Sequence, residues 1–377
     1  MPGDDQAAEL DAFLARHSGE LIEFRRDLHA HPEIGYHEHR TTQRIALRLS
    51  AAGLRPMLLP KGTGLIVEIG APGAAPGAPV VALRADLDAL PISDEKAVCY
   101  RSTVPNACHA CGHDVHTAIL LGTGLFLTRL AAAGELPGRV RLVFQPAEEI
   151  PGGALDVLAA GGIASVDRIF ALHCDPRLET GKVGLRTGPI TAACDKIIVR
   201  VAGPGGHTAR PHLTADLVYA LGKIVTELPA ALSRRVDPRS SLSLVWGKVS
   251  AGSAANAIPD DGIAEGTVRC LDDEAWHAAP DLLKALIDSV ASAYGVLAEL
   301  SYQRNVPPTV NEATSVQMLT DAATHVLGPD AVASAPQSLG GEDFAWFLES
   351  IPGALARLGT RGRGMAGNTS DAIISPR

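Results

Sequence analysis

The order of hydrophobic and polar positions divides the chain into alternating helices and strands. Residues 8 to 29 carry Leu10, Phe13, Leu14, Leu21, Phe24 and Leu28 at helical spacing, and Pro32 stops the run. A second amphipathic helix runs from Glu38 to Ala52 and ends at Gly53. Two short strands, Arg55–Leu59 and Leu65–Ile69, precede a Pro/Gly loop over 71–79. Val80–Ala85 is continuously apolar, as a strand covered on both faces would be. Val115–Leu130 is apolar and long enough for a helix, with Asp114 complementing the dipole at its start. Val140–Phe144 and Arg168–Leu172 repeat the strand pattern, with a helix at 153–160 between them. The three apolar strands end in polar tips: Asp86-Leu87-Asp88, Gln145-Pro146-Ala147-Glu148-Glu149 and His173-Cys174-Asp175. This alternation predicts an α/β fold whose ligands gather beyond the carboxyl ends of its strands.

The pattern changes at Thr187-Gly188-Pro189, which reads as a hinge. A strand (196–201), a helix (215–232), two strands (242–249 and 262–270) and a long helix (274–294) follow. That order predicts a small α+β domain inserted into the larger one, with the return marked by Val306-Pro307-Pro308. The division is therefore 1–188 with 304–377 as one domain and 189–303 as the other. It suits a chain of 377 residues, too long for one ordinary core. A helix at 316–326 and a strand near 354–358 close the larger domain.

Composition removes several classes of function. The formal net charge is −9 and no Lys/Arg-rich stripe occurs, which argues against nucleic acid. The acidic first residues lack the basic and apolar regions of a signal peptide, and no run of eighteen apolar residues predicts a membrane span. Six cysteines in a chain this long do not make a disulfide framework. A reducing cytoplasm is the expected location.

The chemistry concentrates in Cys108–His116, which holds two thiols, three imidazoles and a carboxylate in nine residues. Cys111, His113, a carboxylate of the Glu148-Glu149 pair and His173 form a mixed sulfur, nitrogen and oxygen set for one or two divalent ions. A four-cysteine zinc ribbon is excluded, because only one Cys-x-x-Cys is present. A thiol-redox motif is the remaining alternative for that pair. Adjacent glutamates on a loop can point apart, so that one binds metal while the other handles a proton. Alone, they would read as a solvated acidic pair at a helix start. His29 and His31 are either ligands or part of a packed loop. The Gly-rich loop Gly203–His212 is not a phosphate loop, since no Gly-Lys-Ser/Thr follows. Its His207 is either a donor to a developing oxyanion or a surface side chain on a tight turn. Asn256 and Arg269 stay equally open, although an arginine can grip a carboxylate with two hydrogen bonds.

Collected in order, RRDLHAHPEIGYHE (25–38), RADLDALP (84–91), HACGHDVHTA (109–118), FQPAEE (144–149), LHCDP (172–176), GPGGHTARPH (203–212), NAIPD (256–260), GTVR (266–269) and GEDFAWF (341–347) cover nearly the whole length. The chain resembles the metallopeptidase-type amidohydrolases, the family of hippurate hydrolase, N-acyl-L-amino-acid amidohydrolases and plant auxin-conjugate hydrolases. The resemblance implies a zinc-peptidase-like catalytic domain with an inserted ferredoxin-like α+β lid or dimerisation domain, and a homodimer formed through it. It implies two divalent ions, of Mn, Zn, Ni or Co, with Cys111, His113, Glu149 and His173 as ligands. Glu148 becomes the general base and acid, and His207 helps to stabilise the tetrahedral intermediate. Asn256 and Arg269 match substrate-contacting positions, while Asp86 and Asp114 orient the ligands. The implied activity is hydrolysis of the amide bond of small N-acyl amino acids; a carboxypeptidase or dipeptidase is the alternative. Relatives carry a further metal-binding histidine near the C-terminus, whereas the last histidine here is His325. That departure raises the alternative of an impaired relative holding one ion, with Asn368 or Asp371 as substitutes for the missing ligand. Cys108 stands where relatives commonly have methionine.

Overall fold

The computed structural model describes residues 4–70 and 77–362, so Asn368 and Asp371 lie outside the described residues. It divides into two units. The first comprises the chain up to Gly188, Asn311–Pro336 and the chain from Trp346; the second comprises Pro189–Val310 and Gln337–Ala345.

The first unit is built on an eight-stranded sheet. Its order is Met57–Leu58, Leu65–Gly70, Arg139–Gln145, Val80–Asp86, Arg168–Glu179, Gly353–Arg361, Val183–Leu185 and Val332–Ser334. Val80–Asp86 runs parallel to both of its neighbours, and Arg168–Glu179 runs parallel to Gly353–Arg361. The helices Asp4–Ala30, His39–Ala51 and His113–Ala133 share one core with three of these strands, through Phe13, Leu28, Ile45, Leu49, Leu121, Leu142 and Phe144. His113–Ala133 is the one helix among the described residues long and apolar enough to cross a membrane. Its apolar surface is explained by packing, since Ala118, Leu120, Leu121 and Leu125 are buried in that core.

Two expectations change here. The strand expected at 55–59 is only Met57–Leu58, with both side chains exposed. The strand expected to end at Leu172 continues to Glu179, so His173-Cys174-Asp175 lies inside it. Its pairing explains how an interior strand residue can serve a site. Pairing with Val80–Asp86 ends at Arg84 and Ala171, while pairing with Gly353–Arg361 continues through His173 and Asp175. Beyond Ala171 the strand is therefore open on one edge.

The second unit carries a four-stranded antiparallel sheet, in the order Ser243–Ala251, Asp261–Cys270, Ala193–Ala202, Leu297–Val306. With the helices Leu217–Arg235 and Asp273–Ala293 this is the β-α-β-β-α-β arrangement of ferredoxin-like domains. The hydrophobic pattern predicts no strand over 297–306. None of its side chains is fully buried, so it lacks an apolar signal, and the domain limit expected at 303/304 falls inside it. A buried carboxylate ties this strand to the rest: Asp195 accepts from Trp276 Nε1 (2.6 Å), the Tyr302 hydroxyl (2.8 Å) and the Asn305 N–H (3.0 Å).

One buried acid in the first unit bears on the loop after Arg139–Gln145. Glu38, at the start of the second helix, is fully buried, and its Oε1 accepts the Ala147 N–H at 2.7 Å. Ala147 needs that support, because its φ of +52° is left-handed and costs a residue with a Cβ about 1–2 kcal/mol. Burial, with nearby Asp88, raises the Glu38 carboxyl from 4.5 to about 7. The folded protein therefore keeps a proton that the unfolded chain loses above pH 4.5, and stability falls as pH rises between these values. Glu38→Gln keeps the acceptor and abolishes the titration. Denaturant unfolding should show the variant gaining about 3 kcal/mol on the wild type between pH 4.5 and 7, with no further gain above. A difference independent of pH would contradict the assignment.

Candidate metal centre

The ends of Val80–Asp86 and Arg139–Gln145, the start of His113–Ala133 and the open edge of Arg168–Glu179 bring the ionisable side chains of the first unit together. Cys111, His113 and Glu149 each present a ligand atom within 4.8 Å of the others. His113 Nε2 lies 3.7 Å from Asp86, 3.8 Å from Glu148 and 3.9 Å from Glu149. Three carboxylates thus surround one ring nitrogen. The His173 ring joins from the neighbouring strand, its centroid 6.4 Å from that of His113.

Backbone geometry places the two ligands of the Cys-x-x-Cys segment. Gly112 sits between Cys111 and His113 at φ +89°, and a Cβ there would stand 2.9 Å from Cys174 Sγ. Only glycine allows both the turn and the close approach to Cys174. The helix starts at His113, so its ring and the Cys111 thiol leave the two sides of one tight corner at Gly112.

Hydrogen bonds decide which nitrogen of each histidine is free. His113 Nδ1 lies 2.8 Å from the Asp88 carbonyl, and His173 Nδ1 lies 2.8 Å from the Cys174 carbonyl. A carbonyl only accepts, so both rings carry hydrogen on Nδ1 and offer Nε2. His113 Nε2 is buried without a hydrogen-bond partner, and so is Glu149 Oε1. His116 differs. Its Nε2 accepts the Cys174 N–H at 2.8 Å and its Nδ1 bonds Asp86 at 2.6 Å, so neither nitrogen is left for a metal.

The electrostatics agree with this division. Burial opposes charge on His113, but Asp86 and Asp88 outweigh it and hold its proton affinity well above the ordinary value. Burial, then Arg357 and His116, hold His173 well below its ordinary value, so it is a neutral ring. Burial raises Glu149 and pushes the Cys111 thiol up. Asp86 is held well below the carboxylate range, because His113, His116 and Arg84 overcome its desolvation. The cluster keeps two orphaned buried ligand atoms, His113 Nε2 and Glu149 Oε1, 3.9 Å apart. A divalent ion bound by Cys111, His113, Glu149 and His173 gives both a partner, and the donor set fits the first transition row.

Two positioning residues stand behind these side chains. Asp88 accepts the N–H of Glu148 (3.0 Å) and of Glu149 (2.9 Å), and so sets the direction of both glutamates. Reading of the sequence had not singled it out; its signal was the second aspartate of Asp86-Leu87-Asp88 at a strand end. Asp114 points away from Cys111, to His29 Nδ1 (2.9 Å) and Arg25 Nε (2.7 Å). His29 is thus buried against Asp114, and His31 Nδ1 bonds the Asp27 carbonyl. In the second unit, His207 is exposed on a two-residue strand paired with Ala257, beside the exposed Asn256. Arg269 donates to the Leu339 carbonyl.

Residues 82–373 match the family described as Peptidase family M20/M25/M40. A Rhodococcus jostii (strain RHA1) protein named as a glutamate–cysteine ligase 2-3 is 50% identical over 340 residues, which are 90% of this chain. The match is 42% of that protein, so the chain spans less than half of its length. The N-acetylcysteine deacetylase of Bacillus subtilis (strain 168) is 40% identical over 343 residues, 91% of this chain and 88% of that one. Among solved structures, the Bacillus subtilis YXEP protein, described as a dinuclear metal-binding peptidase, superposes with a TM-score of 0.81 at 35% identity, covering 96% of this chain and 92% of that one. With the family pattern spanning both strand ends and the Cys-x-x-Cys corner, the chain belongs to peptidase family M20/M25/M40.

Proposed function

We propose that this protein hydrolyses the amide bond of N-acyl amino acids, releasing a carboxylate and a free amino acid. The observation that carries the reading is the division of labour between two adjacent glutamates. Glu149 turns an unpartnered buried oxygen toward Cys111 and His113, while Glu148 sits 3.8 Å from the same histidine nitrogen without joining that ligand group. The Bacillus subtilis deacetylase supports the substrate class, since it is similar over nearly its full length.

A divalent ion held by Cys111, His113, Glu149 and His173 would polarise the amide carbonyl and acidify water. Glu148 takes a proton from the attacking water as its oxygen bonds to the carbonyl carbon. It returns that proton to the nitrogen as the carbon–nitrogen bond breaks. Asp88 keeps Glu148 in place through its backbone N–H. His207, from the inserted unit, serves as a donor to the oxyanion, and Asn256 and Arg269 contact the substrate. The inserted unit acts as lid and as the surface of a homodimer. Two ions, of Mn, Zn, Ni or Co, would fill the centre. Six free cysteines fit a cytoplasmic protein.

Glu148→Gln should lower kcat on N-acetyl amino acids on the order of 10²–10⁴-fold while metal content by elemental analysis stays unchanged. Full activity in that variant would remove Glu148 from the mechanism. For His207, steady-state kinetics of the alanine variant should show kcat reduced on the order of 10²-fold with KM little changed. Unchanged rates would return His207 to the role of a surface side chain. Dipeptides assayed in parallel should be poorer substrates than N-acetyl amino acids; the reverse order would favour a dipeptidase.

A further inference from the structure

A second group of candidate ligands lies outside the centre described above and has no part in the reaction. His29, Asp94 and Cys108 each bring a donor atom within 4.8 Å of the other two, and all three side chains are buried. They come from three stretches: the end of helix Asp4–Ala30, the loop after Leu90, and the first cysteine of Cys-x-x-Cys. Asp94 is held by the N–H groups of Lys96 (3.1 Å) and Ser102 (2.9 Å).

The His29 ring is fixed in a telling orientation. Its Nδ1 lies 2.9 Å from Asp114 Oδ2, the same oxygen that pairs with Arg25 Nε at 2.7 Å. An ionised carboxylate only accepts, so Nδ1 carries hydrogen. Nε2 then faces Asp94 Oδ2 at 3.3 Å and makes no hydrogen bond. A bare imidazole lone pair against a carboxylate is repulsive unless a cation stands between them. That cation is either a proton or a metal ion.

Three features favour metal. A charge-assisted N–H···O contact closes to about 2.7–2.9 Å, whereas two ligands bonded at about 2.0–2.1 Å to a tetrahedral ion stand about 3.3–3.4 Å apart. The third corner is a thiol, a preferred zinc ligand. The contact of His29 Nδ1 with Asp114 is the carboxylate–histidine pairing that orients metal-binding imidazoles. His109 packs beside this group. Both of its ring nitrogens are buried without a hydrogen-bond partner, and its ring centroid is 6.3 Å from that of His29.

We propose that His29, Asp94 and Cys108 form a further metal site of zinc type, separate from the Cys111, His113 and Glu149 cluster. Binding displaces the Cys108 thiol proton to solvent. The ion ties the first helix to the Cys-x-x-Cys segment and so steadies Cys111, three residues on. The site does not depend on the reaction proposed above.

Cobalt(II) is the probe. Cys111→Ser protein, with its other thiols intact, should show a near-ultraviolet thiolate-to-cobalt band that saturates at one equivalent. Adding Cys108→Met should abolish it. Absence of the band in Cys111→Ser, or its survival after Cys108→Met, overturns the site. Should circular dichroism show Cys111→Ser unfolded, the zinc content of Cys108→Met in the otherwise native chain decides. Loss of one equivalent relative to wild type supports the site, and unchanged content overturns it.

Discussion

The metal centre depends on one aspartate that has no place among its ligands. Asp88 takes the N–H groups of Glu148 and Glu149 with its carboxylate and the Nδ1–H of His113 with its carbonyl. Hydrogen bonds to an ionised group contribute about 1.5–3 kcal/mol each, and an abandoned buried N–H costs a comparable amount. One residue therefore aims both glutamates and chooses the histidine tautomer. Its position follows from the sheet, since Val80–Asp86 ends two residues earlier beside Arg139–Gln145. Glu38 performs the related task one residue upstream, by holding the left-handed Ala147.

The same logic orders the histidines. His113 and His173 each give Nδ1–H to a carbonyl and keep Nε2, whereas His116 has both nitrogens occupied. These rings lie within a few ångströms of one another, yet their roles differ because their backbone partners differ. Asp86 balances the group: it pairs with Arg84 and His116 and leaves His113 Nε2 facing the glutamates. Burying this much charge is unfavourable unless every member has a counter-charge, which is why the orphaned atoms of His113 and Glu149 point to a cation.

Much of this was legible because apolar runs and their polar tips are local signals. Val80–Asp86, Arg139–Gln145 and the helix from His113 stand within a few residues of where the pattern puts them. Cys111, His113 and Glu149 are brought together, as their residue types suggested. The α/β fold class follows from the same alternation, and the solved relatives share it. What escaped was non-local. Leu297–Val306 is a strand because Ala193–Ala202 lies beside it, and its own side chains hardly show it. Asp88 acts on backbone N–H groups sixty residues away, and such bonds leave no mark in composition. The partner of His29, Asp114, arrives from another helix 85 residues away.

The pairing of Arg168–Glu179 with Gly353–Arg361 has a consequence for how the protein is made. Ile169 and Gly353 are direct neighbours in the sheet, with the second unit's whole sheet between them in sequence. During synthesis the strand that bears His173 is therefore exposed on that edge until Gly353–Arg361 leaves the ribosome. Contacts of such high sequence separation form slowly, and an unpaired apolar edge invites association with other chains. The inserted unit has its own core and can fold while the larger one waits. Recombinant yield should then be governed less by final stability than by how long that edge stays open.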